Sequence, residues 1–239
     1  MRRGRRPVRT RRERGGALAA RLSPVRLESL TEPTRRLLDP LGRRDWADDF
    51  YLAGSAALAL YLGHRTVRDL DLMSSTHRLA PSDRRDLLAD LLRFEAGARV
   101  ETARDGFLFV RLPGDSALRL FWYPYPVVDS AERVAGLAVA SLVDLGLMKL
   151  GALISRGTRR DFVDLYLISR VLPLDELLAR SEEKFGHVGD FPLQAWKALA
   201  DLSEAEDEPM PQLAEPLAWD RVRDWARGEA ERAGRRILA

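Results

Sequence analysis

Two aspartates separated by one leucine, Asp69 and Asp71, lie in a short apolar run over 67–73. That run reads as a β-strand, and strand side chains alternate faces, so both carboxylates point the same way. Hard divalent cations take oxygen ligands, which makes the pair a candidate Mg²⁺ site. Upstream of the pair, separated from it by thirteen residues, stands Gly54-Ser55. It follows a buried strand expected over 50–53 and opens a small apolar helix expected over 56–62, which Gly63 stops. A helix start offers free backbone N–H groups and the positive end of the dipole, and Ser55 adds a hydroxyl; all three suit a polyphosphate. Gly54 as a turn residue and Ser55 as an N-cap explain the same residues structurally, and an N-cap is also where phosphate docks.

A second constellation lies at 148–166. Lys149 sits inside an apolar helix, where a lysine is costly unless it reaches a partner. Arg156 falls seven residues later on nearly the same face, and beyond the Gly157 break Asp161 and Asp164 share a face at i, i+3. A snorkelling lysine among surface salt bridges would explain this set. The chemical reading gives Lys149 and Arg156 to a triphosphate, and Asp161 or Asp164 to orienting them or to catalysis. A phosphate cradle feeding a metal-binding strand is the working geometry of a nucleotidyltransferase. Grip and metal site must lie within one nucleoside triphosphate of each other, and a strand, a helix and a return strand achieve that.

The elements around these residues fall into two halves. Before position 140 the pattern alternates: a helix over 27–38, refreshed near Thr31 and Pro33 and ended by 39–42, then the strand, helix and Asp-Leu-Asp strand above. An amphipathic helix over 81–94 and strand-like runs at 99–103, 107–112 and 117–123 follow. From Ser141 the periodicity is helical at 141–156, 159–170, 173–185, 191–202 and 217–235, and the acidic stretch 203–216 reads as a linker. The expected fold is α+β, a small mixed sheet with flanking helices followed by an all-helical part. The expected division is a basic arm over 1–24, an α/β core over 25–140 and a helical domain over 141–239.

At 239 residues and 46% hydrophobic composition the chain has ample length for a core, and no apolar run suits a membrane span or a secretory signal. The absence of cysteine excludes disulfides and thiolate metal sites and fits a reducing, cytoplasmic setting. Residues 1–14 hold eight arginines and one acid, a charge of +7, so the remaining residues total −4 against the overall +3. The basicity therefore lives in the N-terminal arm, either a solvated tail or an attraction to RNA or DNA phosphates.

Both constellations together resemble the AbiEii/AbiGii toxin family of nucleotidyltransferases, within the DNA polymerase β superfamily. The family pattern Leu-x-Gly-Gly-Thr-Ala-Leu-x-Leu-x-x-Gly-His-Arg-x-Ser-x-Asp-Leu-Asp appears here as LAGSAALALYLGHRTVRDLDL, and its Lys-x-x-Ala and Arg-x-x-x-Arg-Asp-x-x-Asp-Leu-Tyr as MKLGALISRGTRRDFVDLYLI. The resemblance spans about 50–170. It implies Mg²⁺, a nucleoside triphosphate as substrate, and a toxin's role in a toxin–antitoxin or phage-defence pair with a cognate antitoxin; some relatives modify tRNA. On this reading Asp69 and Asp71 are metal ligands and, with Lys149 and Asp161, catalytic. Gly54, Ser55, Arg65, Lys149 and Arg156 bind the nucleotide.

Three departures stand out. Ser55 and Ala56 replace Gly-Thr, Val67 replaces a serine, and the third carboxylate that the superfamily usually carries on a neighbouring strand is missing from 117–122. Either Asp161 or Asp164 substitutes, or the protein is a degenerate nucleotidyltransferase that binds nucleotide, RNA or a protein partner. In a third class the arginine arm is itself the functional, nucleic-acid-binding element. His64 suits a structural as well as a catalytic role, while His77 and His187 lack partners at metal-ligand spacing. The five tryptophans read as packing residues, and the stretch FWYPYP at 121–126 could stack a base or simply end a strand.

Overall fold

The computed structural model of the chain describes residues 25–237, and the basic arm expected over 1–24 lies outside the described residues. Seven strands form one sheet: β1 (Tyr51–Ala53), β2 (Asp69–Ser74), β3 (Arg99–Arg104), β4 (Phe107–Leu112), β5 (Ser116–Trp122), β6 (Glu132–Val134) and β7 (Leu137–Val139). Their order is β3-β4-β5-β2-β1-β7-β6, which puts β2 in the middle. β1 runs antiparallel to β2, whereas β5 runs parallel to it, so the sheet is mixed as expected.

Alternation makes the sheet two-faced. Leu52, Leu70, Leu72, Leu108, Val110, Leu118 and Leu120 are fully buried on one side. Asp69, Asp71, Met73, Phe107, Phe109, Arg119 and Phe121 occupy the other and remain half-buried. The period-two pattern of the sequence thus assigns the carboxylates to the open face.

Ten helices accompany the sheet among the described residues. In the first half they are α1 (Glu32–Gly42), α2 (Gly54–Leu62) and α3 (Pro81–Phe94). Then come α4 (Leu142–Ser155), α5 (Arg159–Ser169), α6 (Leu174–Leu178), α7 (Ser181–Phe185), α8 (Phe191–Ala200), α9 (Ser203–Glu206) and α10 (Trp219–Ile237). Helix α2 is hydrophobic on every side, and Ala56 through Tyr61 are all buried. Such a helix must lie inside the protein, and α2 packs between β1, β2 and α4. Gly63 ends it in the left-handed conformation at φ +63°, which only glycine adopts freely. One hydrophobic cluster runs from Leu30 to Ala226, so the α/β and helical halves share a core.

Four expectations need correction. The helix expected over 27–38 starts later, since 27–29 form only a 3₁₀ turn (Leu27–Ser29) and α1 begins at Glu32; it ends at Gly42, within the expected stop, with Pro40 inside its last turn. The carbonyl that Pro40 cannot serve belongs to Arg36, an exposed residue open to solvent, and burying Leu41 favours keeping that turn. The single helix expected over 173–185 is two, α6 and α7. Between them Arg180 turns back to donate to the Val128 carbonyl at 2.9 Å and Asp129 at 3.1 Å. The stretch 203–216 is no loose linker. It begins with α9, Glu208 accepts the Arg159 N–H at 2.7 Å, and Ala214 N–H donates to the His64 carbonyl at 2.8 Å. One of its acids, Glu208, thus serves the positive end of α5. Finally, the β6–β7 hairpin was not anticipated; its three-residue strands are too short for a periodic signal, and its turn uses positive φ at Ala135 and Gly136.

Candidate active site

The site begins where β1 gives way to α2. Gly54 has φ +61°, and a Cβ built there would come within 2.4 Å of the Asp71 carboxylate. Glycine is thus required twice, for its backbone angle and for the approach of the Asp71 oxygen. The start of α2 and the Asp-Leu-Asp strand therefore touch, as the spacing in the sequence suggested. Burial pushes the Asp71 carboxyl up; Arg119 and the more distant Lys149 work against that rise, and Asp69 adds to it.

Arg119 is the group the sequence argument passed over. The β2–β5 register places it beside Asp71. Its Nε donates to Asp71 Oδ1 at 2.7 Å and its Nη2 to Asp69 Oδ2 at 3.3 Å. One guanidinium thus bridges both carboxylates from the strand on which no acid was found. The clue lay in aligning the alternation of LDL with that of LRL; the search there was for acids alone.

Asp164, in the middle of α5, is the hub of the second cluster. It is fully buried, and Lys149 Nζ lies 2.7 Å from its Oδ2, Arg65 Nη2 2.8 Å from the same oxygen, and His64 Nε2 3.2 Å from Oδ1. Burial would raise its carboxyl, but Lys149, His64 and Arg65 hold it well below the ordinary carboxylate range. The same Arg65 Nη2 donates to Ser55 Oγ at 3.0 Å, so one arginine ties the start of α2 to α5. Arg65 is buried, with Ser55 and Asp164 as its hydrogen-bond partners.

Asp161, in the first turn of α5, is also fully buried. It accepts from Lys149 at 2.9 Å, from Arg156 Nε at 2.7 Å and from the Thr158 hydroxyl at 2.6 Å. Burial raises its carboxyl, and Arg156, Lys149 and Thr158 together overturn that and bring it to about 2. Lys149 stands between Asp161 and Asp164 with 12% of its side chain exposed, while Arg156 is 60% exposed. The structure therefore brings together Gly54, Ser55, Asp69 and Asp71, and joins Ser55 through Arg65 and Asp164 to Lys149, Asp161 and Arg156.

Several of the discounted residues lie elsewhere in packing contacts, whereas Trp122 at the end of β5 is exposed. Tyr125 of the FWYPYP stretch packs against Tyr123, Phe185 and His187. His77 packs against Phe50 with the rings tilted, Trp219 meets Phe162, and Trp225 meets Tyr166. Val67, which stands where a serine was expected, forms a bridge to Leu30.

For a metal ion the donor set is small. Among the described residues no group of three or more His, Cys, Asp or Glu side chains is placed to hold one. Two carboxylates on one face still fit a single Mg²⁺, which is commonly bound by one or two carboxylates plus substrate phosphates. Among the described residues no helix is long and apolar enough to cross a membrane.

Comparison with known proteins bears on the family and the fold. The family of nucleotidyl transferase AbiEii toxins, of the type IV toxin–antitoxin systems, matches residues 35–227. An uncharacterized protein of Aquifex aeolicus (strain VF5) is 27% identical over 203 residues, 83% of this chain and 95% of its own. A crystal structure from H. pylori, classed as a nucleotidyltransferase, superposes with a TM-score of 0.50 at 15% identity, covering 87% of this chain and 97% of that one. At that identity the likeness speaks for the fold, a nucleotidyltransferase-type mixed sheet with accompanying helices.

Proposed function

The chain belongs to the AbiEii nucleotidyltransferase toxin family, and from that premise we propose that it transfers a nucleotide from a nucleoside triphosphate to a hydroxyl of RNA or protein. The observation that carries this reading is the close approach of the Asp71 carboxylate to Gly54, which would set a phosphate cradle against a metal-binding pair. The backbone N–H groups at Gly54 and Ser55 take the β- and γ-phosphates, with Lys149 and the exposed Arg156 neutralising their charge. Asp69 and Asp71 would hold Mg²⁺, which supplies charge neutralisation at the α-phosphate when bound. Asp161 and Asp164 are both clamped by cations and kept ionised, so their part is to aim Lys149 and Arg156 rather than to stand in for a missing base. Arg65 keeps Ser55 in place from behind. Catalysis on this account is positioning and charge, as is usual for transfer at phosphorus.

In the cell this activity would make the chain a cytoplasmic toxin restrained by a cognate antitoxin and used in phage defence, with tRNA among the candidate acceptors. The arginine arm would supply attraction to RNA. A second reading, a degenerate fold that binds nucleotide or a partner without transfer, draws on the Arg119 bridge across both carboxylates.

Two measurements test the proposal. Triphosphate binding should depend on Mg²⁺ in the wild type and lose that dependence in Asp71→Asn. Expression of the chain alone should arrest growth, and co-expression with the product of the neighbouring gene should relieve it. Binding indifferent to Mg²⁺ in both proteins would remove the metal assignment.

A further inference from the structure

The two carboxylates of β2 have few neighbours on their own face. Across β1, Ala53 stands beside Asp71; across β5, Ala117 stands beside Asp69 and Arg119 beside Asp71. Alanine offers neither charge nor donor, so the guanidinium is the one charged group that the adjoining strands place in register with the pair. Its fork engages both acids, Nε on Asp71 at 2.7 Å and Nη2 on Asp69 at 3.3 Å. Arg119 is also half-buried, with 34% of its side chain exposed, and Phe109 stands beside it on β4. A group so placed is neither a free surface arginine nor sealed in the core.

Charge then limits what the site can take. Two carboxylates carry −2, and an arginine, ionised at any working pH, returns the cluster to −1. Two divalent ions need more negative ligands than this face provides, and no third acidic or histidine side chain joins the pair among the described residues. We propose that Arg119 serves as a built-in cation in the place of a second metal ion, so that the site takes one divalent ion and takes it only together with the triphosphate. Before nucleotide arrives the guanidinium cancels one of the two charges of Asp69 and Asp71 and opposes a free cation. The phosphates bring the negative charge that lets the ion and the arginine share the site. The inference rests on the proposed nucleotidyltransferase reading, because it needs nucleotide and a divalent ion at this face.

Mn²⁺ is the probe, counted by electron paramagnetic resonance and calorimetry on the full chain, with and without a triphosphate non-hydrolysable at the α,β-bridge. Thermal unfolding is followed in parallel. The wild type is expected to bind one Mn²⁺ with the analogue and to bind it at least tenfold more weakly without. Arg119→Gln should bind Mn²⁺ without nucleotide at least tenfold more tightly than the wild type. Arg119→Lys, keeping the charge, should still bind a single ion. Arg119→Asp should bind two; if it does not fold, the glutamine and lysine variants decide. Two Mn²⁺ in the wild type, or equal Mn²⁺ affinity in wild type and Arg119→Gln, would overturn the role of Arg119 while leaving the transferase reading intact. One nucleotide-dependent Mn²⁺ in a protein that transfers nothing would support the role of Arg119 and remove the transferase reading.

Discussion

Replacing Asp164 by asparagine removes one negative charge from the centre of the network and almost no volume. In the wild type that carboxylate is fully buried and faces Lys149 at 2.7 Å, Arg65 at 2.8 Å and His64 at 3.2 Å. Asparagine leaves two cations close together with Asp161 as the remaining buried acid, and its own NH₂ must point at a donor. Removing one partner of a buried ion pair costs about 3–5 kcal/mol, because the other charge stays buried without compensation. For a chain of this size each kcal/mol lowers Tm by about 2–4 °C, so the midpoint should fall by roughly 6–20 °C. Function should suffer separately. Arg65 loses its anchor and with it the hold on Ser55 Oγ, and Lys149 loses its aim. Differential scanning fluorimetry and urea unfolding give the first quantity, and triphosphate titration at a temperature where the variant is folded gives the second. The informative control is Asp164→Asn combined with Lys149→Met, which removes the stranded charge as well. Stability should recover in part while nucleotide affinity does not. A Tm within about 2 °C of the wild type in Asp164→Asn, with unchanged affinity, would refute the hub assignment.

Other outcomes follow from the same geometry. Gly54→Ala should cost about 1–2 kcal/mol from its left-handed backbone angle alone, and its Cβ should displace the Asp71 carboxylate, so Mg²⁺-dependent nucleotide binding should weaken more than unfolding data account for; equal losses would contradict the contact. The depressed carboxyl of Asp161 contributes stability that is complete above its ordinary value and is lost as pH falls through about 2, a difference on the order of 2 kcal/mol. Urea midpoints between pH 5 and 2.5 should therefore decline with acid, and Asp161→Asn should flatten that slope; parallel curves would show the carboxyl is not held low. Deleting residues 1–14 removes +7 and should weaken RNA binding and flatten its salt dependence without changing Tm; an unchanged salt slope would make the arm a bystander.

Much of the site was legible because its logic is local. Gly54-Ser55 after a short strand, and Asp69 and Asp71 two apart in an alternating run, bear their geometry in sequence spacing. Lys149 within an apolar helix demanded a partner and has two. What stayed hidden depended on contacts between distant segments. Arg119 acquires its meaning only from the β2–β5 register, which no local pattern fixes. Asp164 rather than Asp161 is the hub because α5 presents it to His64 and Arg65, residues a hundred positions away. The bonds of Arg65 to Ser55 and Asp164 were hidden in the same way, since Asp164 lies 99 positions away. The stretch 203–216 looked like a linker for the same reason, since Glu208 finds the start of α5 through space.

The central claim is transfer of a nucleotide at the face carrying Asp69 and Asp71. Its most direct test is incubation of the full chain with each of the four nucleoside triphosphates labelled at the α-phosphate, Mg²⁺, and total RNA and protein as acceptors. The account predicts Mg²⁺-dependent label on one class of acceptor, with pyrophosphate released, and no label with an Asp71→Asn protein that unfolds like the wild type. Undiminished labelling by Asp71→Asn, or no labelling with any triphosphate that the wild type demonstrably binds, would contradict it.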